Sequence, residues 1–274
     1  MKRYILIAIS VIIIFSHYSV YSQTKNGIVG YWSFDESKGK IAVDKATGIS
    51  DSIHYIFNTE KPLSDPIRRK GISEVALEFD GFSSWIKRNA SSFVTPTEDL
   101  TISVWVAPRA FEHGDSGRLS AIVNQENLKN KTGFVLGMFR FEKWSFQIGT
   151  GEKWFEGWDE EHPLPRRQWS YLVATYEASE GKMTLYMTGD PVFQKTLFQK
   201  LPIKPADKPL LIGVHNQSVM TGRSSQAMPL NAFNGLMDEL IIYNRELSAS
   251  EVKESYQNYL TALGGRFRKY HMRI

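Results

Sequence analysis

The feature that most constrains the fold is a series of short strand-like segments across residues 27–243. Residues 101–107 alternate, with an aliphatic face that begins at Ile102 and a second face that carries Trp105. Residues 182–187 alternate in the same way. A period of two places successive side chains on opposite faces of a strand, so it is typical of a sheet with one face buried.

Turn-forming pairs separate these segments, as at Asp80-Gly81, Glu180-Gly181 and Asn234-Gly235. No helical pattern alternates with the strands, which argues against a parallel α/β fold. Many short strands joined by turns indicate two packed antiparallel sheets. The sequence therefore predicts an all-β chain with a two-sheet antiparallel sandwich of the jelly-roll type.

One helix is predicted after the last strand. Ser248 and Glu251 have the spacing of a capping box, in which each side chain pairs with a free main-chain amide of the other residue. Apolar residues from Val252 to Tyr259 follow at helical spacing, and the glycine pair at 264–265 ends the pattern. We therefore expect a short C-terminal helix.

Residues 1–22 have the composition of a secretory signal peptide. A short basic start at Lys2 and Arg3 precedes an apolar run over residues 4–15, and Ser22 offers a small residue for cleavage. The alternative is a membrane anchor, but the run is shorter than the roughly 20 residues that span a bilayer. We expect a bacterial protein that is secreted, periplasmic or in the cell envelope, without a membrane span in its mature form.

The formal charge of +4 does not describe the folded domain. Six of the 33 basic residues lie in the first three and last nine positions, which contain no acid. The remainder has 27 basic residues against 29 acids, a net charge near −2. A basic groove for nucleic acid is not supported, and we expect no nucleic-acid partner.

The strand segments are similar to those of laminin-G-like jelly rolls of the concanavalin A-like lectin/glucanase type, in register over residues 27–260. The resemblance implies two antiparallel sheets of about six or seven strands each and a carbohydrate-binding role. One departure is Thr188, since the family usually has Asn before the glycine of this turn. The matching segments are GYWSFDE at 30–36, ALEFDG at 76–81, LTISVWV at 100–106, QWSYLVATY at 168–176, TLYMTG at 184–189 and FNGLMDEL at 233–240.

Related jelly rolls often hold a structural calcium ion where the opening and closing strands meet. Asp35, Asp80 and Asp238 occupy the matching motifs, and carboxylate oxygens suit Ca²⁺. The resemblance therefore implies a calcium site, for which Asp35 and Asp238 are the favoured ligands. The alternative is that these acids only make hydrogen bonds at turns and strand ends.

Exposed aromatic rings beside amides and acids are the expected features of a sugar site, because sugar C–H faces pack on rings while hydroxyls need hydrogen bonds. The alternative is that these rings belong to the core, as we expect for tryptophans inside regular strands. The candidate residues are Trp154, Trp158, Trp85, His215 and Asn216.

Residues 261–274 form a basic tail. Residues 266–272 resemble the run ending in Tyr-His with which the catalytic domain of family 32 (invertase/fructanase-type) glycosidases opens. The chain would then be the N-terminal accessory module of a truncated or separately encoded glycosidase. The alternative is a frayed basic end.

Three function classes follow from these observations. The favoured one is a secreted, non-catalytic carbohydrate-binding module that assists polysaccharide degradation, with a glycan and a glycosidase as partners. The rival is a structural or protein-interaction domain, since the same fold also serves adhesion and spacing. An active hydrolase would need two carboxylates that face one cleft, and the sequence contains no such motif.

Overall fold

Two antiparallel sheets make up most of the computed structural model, which describes residues 27–55, 65–110, 118–216 and 231–264. Sheet I has the strand order β14-β13-β12-β7-β16-β5-β4, and β1 pairs with β16 beside β5. Its strands are β1 (Ile28–Trp32), β4 (Arg68–Lys70), β5 (Val75–Asp80), β7 (Asp99–Pro108), β12 (Ser170–Glu177), β13 (Lys182–Met187), β14 (Asp190–Thr196) and β16 (Asn234–Tyr243).

Sheet II has the order β11-β10-β9-β8-β15-β6-β3-β2. Its strands are β2 (Ile41–Val43), β3 (Ser50–Tyr55), β6 (Ser84–Arg88), β8 (Ser120–Asn127), β9 (Thr132–Met138), β10 (Trp144–Thr150), β11 (Trp154–Asp159) and β15 (Leu210–Ile212). Short 3-10 turns occupy Ala90–Ser92, Leu128–Asn130 and Arg140–Glu142, and the helix α1 spans Ala249–Ala262.

The main core lies between the two sheets, as the alternation of the sequence predicts. Ile102, Val104 and Val106 of β7 point into it, while Trp105 and Ala107 point to the opposite side of sheet I. Trp32 and Trp144 are also fully buried in the core. The predicted all-β, two-sheet sandwich with one C-terminal helix is therefore confirmed.

Helix α1 covers the outer face of sheet I. The capping box is present, since Ser248 Oγ accepts from the Glu251 amide and the Glu251 carboxylate accepts from the Ser248 amide. Val252 is fully buried, and the rings of Tyr256 and Tyr259 lie 5.8 and 5.7 Å from that of Trp105. This face is consequently closed by aromatic packing.

Each sheet has eight strands among the described residues, against the six or seven that the resemblance implies. The additional members include short strands near the sheet edges, such as β2 and β4, which have only three residues each. Short edge strands are common because they limit pairing with other chains.

A buried ionic network joins β6 to β3 and to the segment after β2. Arg88 Nη1 lies 2.7 Å from Asp44 Oδ2, and Arg88 Nη2 lies 2.5 Å from Asp51 Oδ2. The Trp32 indole N–H donates to the same Asp51 carboxylate over 2.9 Å. The network therefore ties the core tryptophan to the half of sheet II that carries β3 and β6.

The proposed signal peptide at residues 1–22 and residues 265–274 of the basic tail lie outside the described residues, as does most of a polar loop that we expect between Ser218 and Asn231. The division into a leader, a jelly-roll domain and a tail remains a prediction. No helix in the described part of the chain is both long and apolar enough to span a bilayer.

Candidate functional site

The outer face of sheet II, meaning the side chains of this sheet that point away from the core, collects most of the candidate residues. Directly opposed residues in neighbouring antiparallel strands point to the same face. Trp158 is opposite Ser145, Ser145 is opposite Gly137, and Gly137 is opposite Ala121. These four positions therefore share the outer face from the edge strand β11 to β8, and Ser145 and Ala121 among them are fully buried.

Trp154 and Trp158 project from β11 onto this face, and both are partly exposed. Each indole N–H donates to a side chain, from Trp154 to Gln147 Oε1 over 2.8 Å and from Trp158 to Glu156 Oε2 over 2.7 Å. Phe139 meets the Trp158 ring edge-on at 5.7 Å. We call these three aromatic residues, Trp154, Trp158 and Phe139, the tryptophan edge.

Gly157 sets the position of the tryptophan edge, because it faces the interior between the two tryptophans. A Cβ at this position would lie 2.5 Å from Met183 Sδ and 3.1 Å from a ring carbon of Phe193. The glycine thus lets β11 approach β13 and β14 closely, and the alternation then turns Trp154 and Trp158 outward.

A second aromatic pair lies on the same face, on β3 and β6. His54 is opposite Trp85, and their rings stack with a centroid distance of 4.0 Å and an angle of 10°. Burial and the nearby Lys87 charge lower the pKa of His54. The Trp85 indole N–H is buried and has no acceptor. Strands β11 and β6 are five strand spacings apart, so the pair and the tryptophan edge are separated by roughly 24 Å.

A cluster of buried polar side chains lies between the tryptophan edge and the His54–Trp85 pair. His215 Nε2 is 3.1 Å from Glu126 Oε1, and these side chains are only 3% and 2% exposed. Asn216 donates its side-chain amide to the Glu126 carbonyl and its main-chain amide to Asn124 Oδ1. The Asn216 Oδ1 atom has no partner. His215 therefore supports the face from beneath rather than presenting its ring to solvent, and the unpartnered Asn216 Oδ1 atom is buried as well.

Two carboxylates on this face belong to different parts of the sheet. Glu156 is on β11 and Glu126 is on β8, three strand spacings or roughly 14 Å apart. Paired carboxylates that hydrolyse glycosidic bonds are about 5 to 10 Å apart. Glu126 and Glu156 do not form such a pair.

Asp238 is a buried carboxylate on β16, remote from the outer face of sheet II. Its Oδ2 atom accepts from the amides of Ile72 and Ser73 over 2.7 and 3.0 Å, whereas its Oδ1 atom has no partner. Burial, and then the negative charges of Glu239 and Asp35, raise the pKa of Asp238 to about 9. A cation beside Oδ1 would favour the ionised carboxylate.

Asp35 lies within electrostatic reach of Asp238 and also pairs with Lys45 over 3.0 Å. The Glu239 carboxylate accepts from the hydroxyls of Tyr31 and Tyr259, while burial raises its pKa. Calcium takes about six to eight oxygen ligands, so main-chain oxygens or water would have to complete any site that included Asp35 and Asp238. In the described ranges, no three acidic or histidine side chains are grouped closely enough to hold a metal.

Asp80 is not brought together with these two acids. Its carboxylate accepts from the amides of Phe82, Ser83 and Ser84 over 2.6 to 3.0 Å, and also from the Ser83 hydroxyl. Asp80 is opposite Asn234 at the far end of β16. The carboxylate therefore caps the turn between β5 and β6.

Sequence reasoning missed Phe139, His54 and Gln147. The alternation of β9, which places Val135 on the outer face, extends to Phe139 and could have identified it. His54 has no signal of its own, because its importance comes from the pairing of β3 with β6.

A sequence profile of the concanavalin A-like lectin/glucanases superfamily matches residues 80–253. No curated protein sequence matches the chain. A similar solved structure is domain 4 of an extracellular GH43 arabinanase from Geobacillus stearothermophilus, in complex with arabinotriose. It is 20% identical with a TM-score of 0.59, and the alignment covers 83% of this chain and 97% of that domain.

Two toxin domains are also similar. The binding domain of Paraclostridial Mosquitocidal Protein 1 is 16% identical with a TM-score of 0.62, over 86% of this chain and 53% of that one. The ligand-binding domain of botulinum neurotoxin serotype D, in complex with N-acetylneuraminic acid, is 13% identical with a TM-score of 0.56, over 86% and 52%. The chain thus spans about half of each toxin domain, and identities this low show the fold alone. On the profile match and this fold, the chain belongs to the concanavalin A-like lectin/glucanases superfamily.

Proposed function

We propose that the protein is a non-catalytic carbohydrate-binding module and that the outer face of sheet II is its glycan-binding surface. The observation that carries this proposal is the tryptophan edge. Trp154 and Trp158 are partly exposed on one face, and their indole N–H groups are hydrogen-bonded to neighbouring side chains. Rings fixed in this way lose little further freedom when a sugar packs on them.

The tryptophan edge also has an exposed polar group that a sugar could use. Glu156 is exposed between the two tryptophans, whereas the unpartnered Asn216 Oδ1 atom is buried. Sugar hydroxyls would donate to the Glu156 carboxylate, while the C–H face of the sugar ring packs on an indole. The stacked His54 and Trp85 rings offer a second aromatic surface farther along the sheet.

Two similar folds support a glycan ligand, since one is in complex with arabinotriose and another with N-acetylneuraminic acid. The outer face of sheet I is covered by α1, whereas Trp154, Glu156 and Trp158 on β11 of sheet II are partly or fully exposed. The proposal includes export to the cell envelope or beyond, and action beside a polysaccharide-degrading glycosidase.

A structural calcium ion at Asp35 and Asp238 is a separate part of the proposal. It is supported by the unpartnered Oδ1 atom of Asp238 and by the raised pKa of this carboxylate. Bound there, the ion would neutralise buried charge where β16 meets the segment before β5, and it would stabilise the fold without contacting the glycan.

The test is binding of residues 23–274 to arabinan, levan and inulin by affinity electrophoresis and titration calorimetry. We expect binding to at least one polysaccharide, and we expect Trp154→Ala and Trp158→Ala each to weaken it about tenfold, as for a central aromatic contact. Phe198→Ala is the matched control, because Phe198 is fully exposed and lies beside the β12–β13 turn of sheet I.

Two results would contradict the proposal. Absence of binding to every polysaccharide, with and without calcium, would leave the structural or protein-interaction role. Binding that survives both tryptophan substitutions would place the glycan on another surface.

A further inference from the structure

The hairpin between β9 and β10 holds an exposed phenylalanine in an unfavourable backbone conformation. Phe141 is 75% exposed and has φ 61° and ψ 35°, in the left-handed region. Glu142 follows with φ 65°. Two successive left-handed residues are normally Asn and Gly in such a turn, because a Cβ clashes with the main chain there.

Contacts on both sides of Phe141 hold this conformation. The Phe139 amide donates to the Lys143 carbonyl over 2.8 Å and closes the hairpin. The Glu142 carbonyl accepts from the Leu164 amide over 2.9 Å. The Glu142 carboxylate pairs with Arg166 over 2.9 Å. The neighbouring segment at residues 164–166 therefore fixes the turn and directs the Phe141 ring outward.

The fold itself gains little from this ring. Phe141 belongs to none of the four hydrophobic clusters formed by the described residues, and most of its surface is in contact with solvent. Unfavourable backbone conformations that are held by their surroundings cluster at active sites and ligand-binding sites.

The position of the hairpin identifies which site is involved. Phe139 is two residues before Phe141 and is itself part of the tryptophan edge, in edge-on contact with Trp158. Phe141 therefore lies in the β9–β10 hairpin, two residues beyond this member of the tryptophan edge. Glu156 beside Trp158 gives this end of the face a hydrogen-bonding group as well.

We propose that Phe141 is a glycan-contacting residue that extends the tryptophan edge, with its ring packed on the C–H face of one sugar unit. The assignment rests on the proposed function and names a further residue of the same site. A sugar ring is the favoured occupant because an apolar ring beside carboxylate and indole groups matches the alternating apolar and hydroxyl surfaces of a saccharide. A lipid surface is the competing occupant that the experiment must separate.

The experiment uses Phe141→Asn, which removes the ring and supplies the residue that the turn prefers. We expect this variant to melt about 3 °C higher than the wild type, because left-handed strain is reduced. We also expect it to bind the polysaccharide that the wild type binds, arabinan or levan, five- to tenfold more weakly than the wild type does. Phe141→Trp should keep wild-type affinity, since it restores an aromatic ring.

Thr188→Asn is the matched control. Thr188 also has a left-handed backbone, with φ 53°, but it lies in the β13–β14 turn of sheet I, next to a glycine that packs under Tyr256. This substitution should raise the melting temperature by a similar amount and leave glycan affinity unchanged.

Three outcomes overturn the assignment. If Trp158→Ala weakens binding while Phe141→Asn does not, Phe141 is not a contact and the proposed function still stands. If the wild type binds no polysaccharide, both fail. If Phe141→Asn reduces binding to phosphatidylcholine vesicles but not to polysaccharide, the residue contacts lipid.

Discussion

Replacement of Arg88 by methionine should be among the most destabilising single changes in this fold. The Arg88 side chain is 1% exposed and contacts two acids, Asp44 and Asp51, which are 0% and 5% exposed. Methionine has a similar length and fills most of the same space. The substitution therefore removes the positive charge but leaves two negative charges buried without it.

The expected loss can be estimated from this geometry. Removal of one partner from a buried ion pair costs about 3 to 5 kcal/mol, because the remaining charge stays desolvated. The free energy of unfolding of an ordinary domain is about 5 to 15 kcal/mol, so this loss is a large part of the total stability. For a domain of this size, about 4 kcal/mol corresponds to a melting temperature that is roughly 8 to 16 °C lower.

Urea titration and thermal melting of wild type and Arg88→Met measure this loss. Adding Asp44→Asn and Asp51→Asn to the variant should recover part of the stability, because the buried charges are then removed together. Lys182→Met is the control, since Lys182 pairs with acids at a partly exposed surface and should cost under about 1 kcal/mol. If Arg88→Met cost no more than this control, the reasoning about buried charge would be refuted.

Two further predictions concern the glycan face and the metal. Gly157→Val should lower the free energy of unfolding by about 1 to 3 kcal/mol and also weaken glycan binding, because the new side chain meets Met183 and displaces β11. Thermal melting measures the first effect and titration calorimetry the second. Unchanged glycan affinity would contradict the proposed role of the glycine. Calcium at a hundred times its dissociation constant should stabilise the protein by about 2.7 kcal/mol relative to chelator. Asp238→Asn should abolish this difference, and equal melting temperatures with and without calcium would exclude the metal site.

The sandwich could be predicted from the sequence because each strand has its own local pattern of alternating residues. The alternation around Trp105 separates the residues of β7 into two faces, and in the structure one face packs in the main core and the other packs against α1. The capping box at Ser248 likewise marked the start of the helix. Such patterns work because each depends on the geometry of a single element.

The site was harder to predict because it is assembled by strand order. Trp85 and Trp154 are far apart in the sequence and reach the same face only because β6 and β11 belong to one sheet. Burial also depends on the assembly. Trp144 lies on β10 between β9 and the edge strand β11, and it points into the core, although the partly exposed tryptophans follow closely in the sequence. The strained turn at Phe141 has no signal in composition or periodicity.

The position of β16 has a consequence for how the protein folds. This strand is the last of the described strands in the sequence, yet it lies inside sheet I, between β7 on one side and β5 and β1 on the other. Its hydrogen bond from Tyr31 to Glu239 joins residues 208 positions apart. The first strand consequently has no partner in the sheet until the last one has been synthesised. Folding should therefore be slow and governed by loop closure, and a chain that ends before Asn234 should expose the edges of both β7 and β5 to aggregation.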